Sequence, residues 1–343
     1  MRWMSVGAER SIIRGITLSS IAAILVSPVS LLRAQSPTVV PRPNVRLPDE
    51  AAGLDAVVRA LIGAFDQADI VALGEAHERQ VDSDLRIALV RHPDFAKKVR
   101  TIVIEYGSAS EQSTLDRYIR GENVSRAQLE QVWRTTALGA NGLGEHPVYA
   151  DFLRAIREVN SKLPADARIR VLAGDPRSRE IPAFAVLKAE VRERHGKALL
   201  IYGGAHFFLT GPAEYLASLG DVIGLARRLD IDHPGRWLAV IPIGALARPS
   251  AIKEADIEPD YQKFDRALTT RLRPILVSLQ RLPFRDFTAE EFFGRTLTTC
   301  RPPGGCRSVF KGSTLTLGQM ADAGIYLGPD ASAAVQAKPG KFE

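Results

Sequence analysis

Ile70-Val-Ala-Leu-Gly-Glu-Ala-His77 is the stretch from which the fold can be read. Its apolar run, Ile70 to Leu73, stops at Gly74, and a histidine follows three residues later. A second copy of the phrase, Ala198-Leu-Leu-Ile-Tyr-Gly-Gly-Ala-His206, repeats the pattern far downstream. Short apolar runs bounded by glycine read as strands buried on both faces. Ligands of open α/β sheets bind outside the carboxyl ends of the strands. His77 and His206 are therefore candidates for one shared site, each beside a glycine that lets backbone or ligand come close.

Outward from these phrases, strand-like and helix-like segments alternate. The spacing predicts strands at Asp69 to Leu73, Thr101 to Glu105, Arg168 to Gly174, Ala198 to Tyr202, Trp237 to Ile243 and Ile275 to Leu279. Helices are predicted at Leu54 to Phe65, Val81 to Val90, Ser110 to Tyr118, Ser125 to Trp133, Val148 to Leu163 and Ile181 to Arg194. Such alternation implies an α/β fold with a mostly parallel central sheet and helices on both faces.

If the first four strands are parallel neighbours, their ends gather polar groups along one edge. Glu75, His77 and Glu78 follow the first, Glu105 and Tyr106 end the second, Asp175 and Arg177 follow the third, and His206 follows the fourth. A buried charge is costly unless paired, so packing alone does not call for this set. Singly, Glu75 would serve as a helix cap and His77 as a hydrogen-bonded histidine at a helix start. Together they read as a site, since titratable clusters tend to be functional. Asp175 and Arg177 would either pair with each other or contact substrate, Arg177 through its fork of donors. His146 lies in the Gly-rich stretch Gly139 to Pro147, of the kind that covers a site.

The ends of the chain carry other signals. The chain has 343 residues, 45% hydrophobic and 24% charged, ordinary values for a globular protein. Arg2, Arg10 and Arg14 precede the mostly apolar run Ile16 to Leu32, and Ala34 offers a cleavage point, so residues 1–34 read as a secretory signal. A membrane anchor is the rival, but the run is short and broken by Pro28. Without residues 1–34 the net charge falls from +6 to +3, because four arginines and one glutamate go with them. No stretch interleaves cations with aromatics, which argues against nucleic acid. Residues 35–50 form a Pro-rich linker, 51–287 the α/β domain with the site, and 288–343 an appendage and tail. Cys300 and Cys306, the only cysteines, flank a Pro-Gly turn and read as a disulfide in an exported, periplasmic or secreted protein. A metal pair is the alternative, although the usual zinc spacing is tighter.

Two mechanisms fit two histidines and two glutamates. In one, His77, His206 and Glu105 hold a divalent zinc, manganese or cobalt ion, and Glu75 acts as general base on bound water. In the other no metal takes part, and Glu75 or Glu105 orients a histidine that deprotonates water attacking an ester or amide. Neither a Gly-x-Ser-x-Gly elbow nor a His-Glu-x-x-His phrase occurs, which argues against the usual serine hydrolases and zinc peptidases. No Gly-x-Gly-x-x-Gly phrase follows the first strand, which argues against a dinucleotide enzyme.

These residues resemble the superfamily that groups erythromycin-esterase-like hydrolases, Tiki and TraB-type metalloprotease relatives, and ChaN-like haem-uptake lipoproteins. The paired Gly-x-x-His phrases, with Glu105 ending the strand after the first of them, look like the Tiki and TraB arrangement. The Leu73-Gly-Glu-Ala-His77 opening is similar to the haem-uptake and esterase branches, and Glu105 through Leu115 to Gly121 to the esterase branch. The resemblance covers roughly residues 67–245. It implies a site of Glu75, His77, Glu105 and His206. The chain departs from each branch: erythromycin esterases have one more residue between Glu and His, the haem lipoproteins carry a lipidation cysteine, and Tiki proteins keep a membrane anchor. The expectation is an exported, metal-assisted hydrolase of ester or peptide bonds acting on a small molecule or peptide. The alternative is a haem-binding envelope protein using His77, Tyr106 or His206 as iron ligand.

Overall fold

Buried at every position, Ile70–Glu75 lies in the interior of an eight-stranded sheet. The computed structural model describes residues 45–140, 147–175, 182–211, 224–243, 261–293, 298–301, 305–308, 310 and 312–327. The leader 1–34, most of the linker 35–50, His146 and Arg177 fall outside the described residues. The strands in chain order are β1 (Glu50–Ala52), β2 (Ile70–Glu75), β3 (Thr101–Ile104), β4 (Arg170–Ala173), β5 (Ala198–Gly203), β6 (Trp237–Ile243), β7 (Ile275–Ser278), β8 (Thr298–Arg301), β9 (Gly305–Ser308) and β10 (Ala323–Tyr326). The large sheet runs β1-β7-β10-β6-β2-β5-β3-β4. From β10 to β4 every pairing is parallel, while β7 runs antiparallel to both β10 and β1. The predicted α/β class holds, and all six predicted strands are present.

Both faces of β2 are covered, which is why its sequence is a continuous apolar run. Val71 and Leu73 join one core, together with the helices Leu54–Ala64, Gln80–Arg91, Arg126–Arg134 and Pro147–Asn160. Ile70 and Ala72 join the other, with Pro182–Lys188, Gly224–Asp232 and Tyr261–Ala267. Helix Pro147–Asn160 shows the cause: Val148, Tyr149, Phe152, Leu153, Ala155 and Ile156 recur at helical spacing and are buried.

The free edge of β4 is closed by two side-chain amides. Gln112 Nε2 donates to Val171 O at 2.9 Å, and its Oε1 accepts from Ala173 N at 2.7 Å. Asn160 does the same for Ile169, at 2.8 Å in both directions. Each amide mimics one residue of a neighbouring strand, blunting an edge that would otherwise invite pairing.

One boundary is corrected. The segment 288–343, expected as an appendage, supplies β10, an interior strand between β6 and β7. Ala323 lies opposite Val240 on one side and Ser278 on the other. The Asp322 carboxylate fixes the start of this strand by accepting Ala239 N–H at 2.7 Å. The described residues, all of them beyond residue 39, accordingly group as one compact unit. Four residues containing a glycine are too few to register as a strand by pattern alone. In the separate β8–β9 hairpin, Cys300 lies directly opposite Cys306. Residues so placed are about 4.5–5.5 Å apart at Cα, a span a disulfide can bridge.

Candidate functional site

Adjacent strands β2 and β5 send their chains to opposite faces of the sheet. The helix after β2, Gln80–Arg91, packs in the first core, whereas Phe207 and the helix Gly224–Asp232 after β5 pack in the second. Such a divergence opens a crevice at the strand C-termini, the usual place for a ligand in an open α/β sheet. Glu75 is in register with Gly203 at the crevice floor, and the two histidine phrases form its walls.

His77 is held on the first wall. Its Nδ1 lies 3.1 Å from Glu75 Oε1. An ionised carboxylate only accepts, so this contact requires the proton on Nδ1, and in the neutral ring the lone pair is then on Nε2. A Cβ on Gly203 would stand 2.9 Å from His77 Nε2 and 3.6 Å from Glu105 Oε2. The imidazole thus packs against the bare Cα of Gly203, and any larger residue would displace it. The chain leaves His77 through Glu78, whose φ of 61° is left-handed, an uncommon state for a side-chain-bearing residue. Glu78 N donates to Tyr149 Oη at 3.2 Å, and Tyr149 Oη in turn donates to Glu75 Oε1 at 3.5 Å.

Beneath Glu75 lies Arg86, whose guanidinium pairs with Glu75 Oε2. Arg86 is 1% exposed and stands 5.6 Å from the Phe152 ring centroid and 6.0 Å from that of Tyr149. Burial lowers its pKa, partly opposed by Tyr106 and Tyr149. The same burial raises the phenols of Tyr106, Tyr149 and Tyr202, so all three stay neutral.

Glu105 follows β3 and serves the second wall. Its Oε2 accepts Gly203 N–H at 2.6 Å, and its Oε1 lies 3.0 Å from His206 Nε2. Burial pushes this carboxyl up, but the charges of His206 and His77, with hydrogen bonds from His206 and Gly203, bring it down to about 2. Glu105 is therefore an anion throughout the neutral range. His206 gives its Nε2 to Glu105, while its Nδ1 is buried without a hydrogen-bond partner among the described residues.

The four residues Glu75, His77, Glu105 and His206 thus meet at one rim, linked as two carboxylate–imidazole pairs. Tyr106 does not join them. It has no exposed surface and packs in the first core, 4.1 Å from Tyr149 between ring centroids. With its ring wholly buried there, Tyr106 presents no surface to the rim. Asp175 is buried, with its carboxylate accepting Ala137 N–H at 3.4 Å. Arg86 and Tyr149 join the site without a sequence motif to announce them, whereas Gly203 opens the second histidine phrase. Arg86 left a legible signal: Asp82, Leu85, Arg86 and Leu89 fall on the buried face of one helix, and a cation at such a position calls for a partner.

The set expected to bind a metal, His77, His206 and Glu105, does not fit one as placed. His206 spends its outward nitrogen on Glu105, and its other nitrogen is enclosed. Among the described residues, no three His, Cys, Asp or Glu side chains converge as a ligand group.

No protein-family model matches the chain, and no curated protein does. Solved structures do resemble it. A succinoglycan biosynthesis protein superposes with a TM-score of 0.51 at 9% identity, over 84% of this chain and 94% of that one. A Bacillus cereus protein gives 0.49 at 13% identity, with the same coverage. A mutant of erythromycin esterase EreC, in its open conformation, gives 0.37 at 12% identity over 76% of this chain and 90% of that one. At these identities the likeness concerns the fold alone.

Proposed function

We propose that this chain is an exported hydrolase of ester or peptide-type bonds in which His77 is the general base. The observation that carries the reading is the placement of His77, with Nδ1 fixed on Glu75 at 3.1 Å and Nε2 against Gly203 in the crevice. In this reading Nε2 takes a proton from water as its oxygen attacks the carbonyl carbon, and returns it to the departing oxygen or nitrogen. Glu75 holds the tautomer, while Arg86 and Tyr149 hold Glu75. Glu105, ionised beside both histidines, stabilises the imidazolium that forms on His77. His206 keeps Glu105 in position. Arg177 keeps the role proposed for it from sequence, gripping a substrate oxygen, with Asp175 either pairing with it or contacting substrate. No step is assigned to a metal, since the donor set does not fit one. Export rests on the basic leader and apolar run of residues 1–34.

The test is hydrolysis of a panel of model esters by the native protein and by His77→Gln. A positioned general base contributes about 10²–10⁴-fold, so the variant should lose at least a hundredfold in kcat with its melting temperature nearly unchanged. Equal rates in the two proteins would remove His77 from this role.

A further inference from the structure

The pole opposite the crevice, where strands β2 to β6 begin, concentrates positive charge. The five stretches that lead into those strands, with the helical turns just before them, are residues 65–69, 94–100, 161–170, 190–197 and 232–236. They carry ten lysines and arginines against seven aspartates and glutamates. That balance of +3 equals the +3 of the whole chain beyond residue 34, so the remainder nets to zero. The net positive charge beyond residue 34 is therefore matched by these stretches.

Some of these cations are spent locally. Lys97 pairs with Asp94, Lys98 with Asp66, Arg194 with Glu190, and Arg236 with Asp69. Arg100 donates to Asp166 O at 2.8 Å, Arg168 donates to Leu163 O at 3.4 Å, and Lys197 caps Phe65 O, so these three hold loops without being neutralised. Lys162, Arg170 and Arg192 are exposed. The first core-facing residues behind them are uncharged: Ile102, Val171 and Leu199 are buried.

The shape of the patch narrows its partner. Five neighbouring strands, β4-β3-β5-β2-β6, at about 4.8 Å spacing spread the cations over roughly 20 Å. Trp237, the aromatic residue at the start of β6, is fully buried, so it offers no platform on which a base could stack. A broad, cationic, aromatic-poor end suits a plane of negative charge better than a strand threaded through a groove.

We infer that this pole is an adsorption face for a bilayer bearing anionic phospholipid headgroups, which would leave the crevice at the opposite end open to solvent. The adsorption face does not depend on the hydrolase reading. The guanidinium and ammonium groups would meet headgroup phosphates as charge-assisted hydrogen-bond donors. Binding held mainly by exposed charge weakens with salt, since the screening length shrinks from about 10 Å at 0.1 M to about 3 Å at 1 M.

The experiment is co-sedimentation of the full chain without residues 1–34 on phosphatidylglycerol/phosphatidylcholine vesicles, with pure phosphatidylcholine vesicles as the neutral arm. The expected result is retention on anionic vesicles at 50 mM salt, at least tenfold less at 500 mM, and none on neutral vesicles. The combined variant Lys162→Glu/Arg170→Glu/Arg192→Glu should lose retention at least tenfold with an unchanged melting temperature. All three side chains are exposed, so folding should survive. Retention unaffected by salt or by the triple variant would overturn the inference. So would absence of binding at low salt, or displacement from vesicles by an equal charge of RNA at micromolar concentration.

Discussion

Glu105 takes Gly203 N–H and His206 Nε2 while buried, and its carboxyl titrates near 2 instead of 4.5. Because the folded value is depressed, its stabilisation is complete above pH 4.5 and drains away as pH falls toward 2. A shift of this size is on the order of 3 kcal/mol. Urea midpoints at pH 7 and pH 3 should therefore converge in Glu105→Gln while separating in the native protein. An equal acid sensitivity in both would contradict the placement of Glu105. Arg86 and Glu75 pose a second test. Removing one partner of a buried ion pair costs about 3–5 kcal/mol. Arg86→Met alone should unfold at much lower urea, and pairing it with Glu75→Gln should recover a large part of the loss. Both carboxylates and both histidines are legible in the sequence because each follows a recognisable apolar strand. Arg86 and Tyr149 are harder to see, because a residue that holds another residue leaves no motif of its own. Tyr106 marks the limit of such reading, since adjacency to Glu105 in sequence says nothing about which face it takes.

Two amides standing in for a missing strand make the β4 edge a property of whole elements. Gln112 belongs to the helix Gln112–Ile119 and Asn160 to Pro147–Asn160, so both helices are pinned to the sheet as the edge is closed. Gln112→Leu should leave Val171 O and Ala173 N unpaired, at about 1–3 kcal/mol. Together with Asn160→Leu it should also expose a pairing edge. The expected outcome is a lower melting temperature and concentration-dependent association by light scattering. A double variant that stays monomeric would show that the amides do not protect the edge. Strand positions are readable from apolar runs, but strand order is not. Nothing in the spacing of β2, β3 and β5 announces that β5 lies between the other two. That insertion places the histidine phrases side by side.

Across the molecule, the chain returns at its C-terminal end to complete the sheet. With β10 between β6 and β7, a chain cut after Phe287 loses an interior strand and exposes both neighbours. It should show no cooperative melting transition, whereas an α/β domain ending at residue 287 would melt as the full chain does. The sequence hides this strand because Ala323–Tyr326 is short and follows a Gly- and Pro-rich stretch. The central claim is that His77 acts as a base at the β2–β5 crevice without a metal. The most direct test is turnover of a hydrolysed model ester by protein stripped with EDTA and dialysed, with and without added zinc. The predicted rate is unchanged by stripping and by zinc, and lowered at least a hundredfold by His77→Gln. A rate lost on stripping and restored by zinc would contradict it.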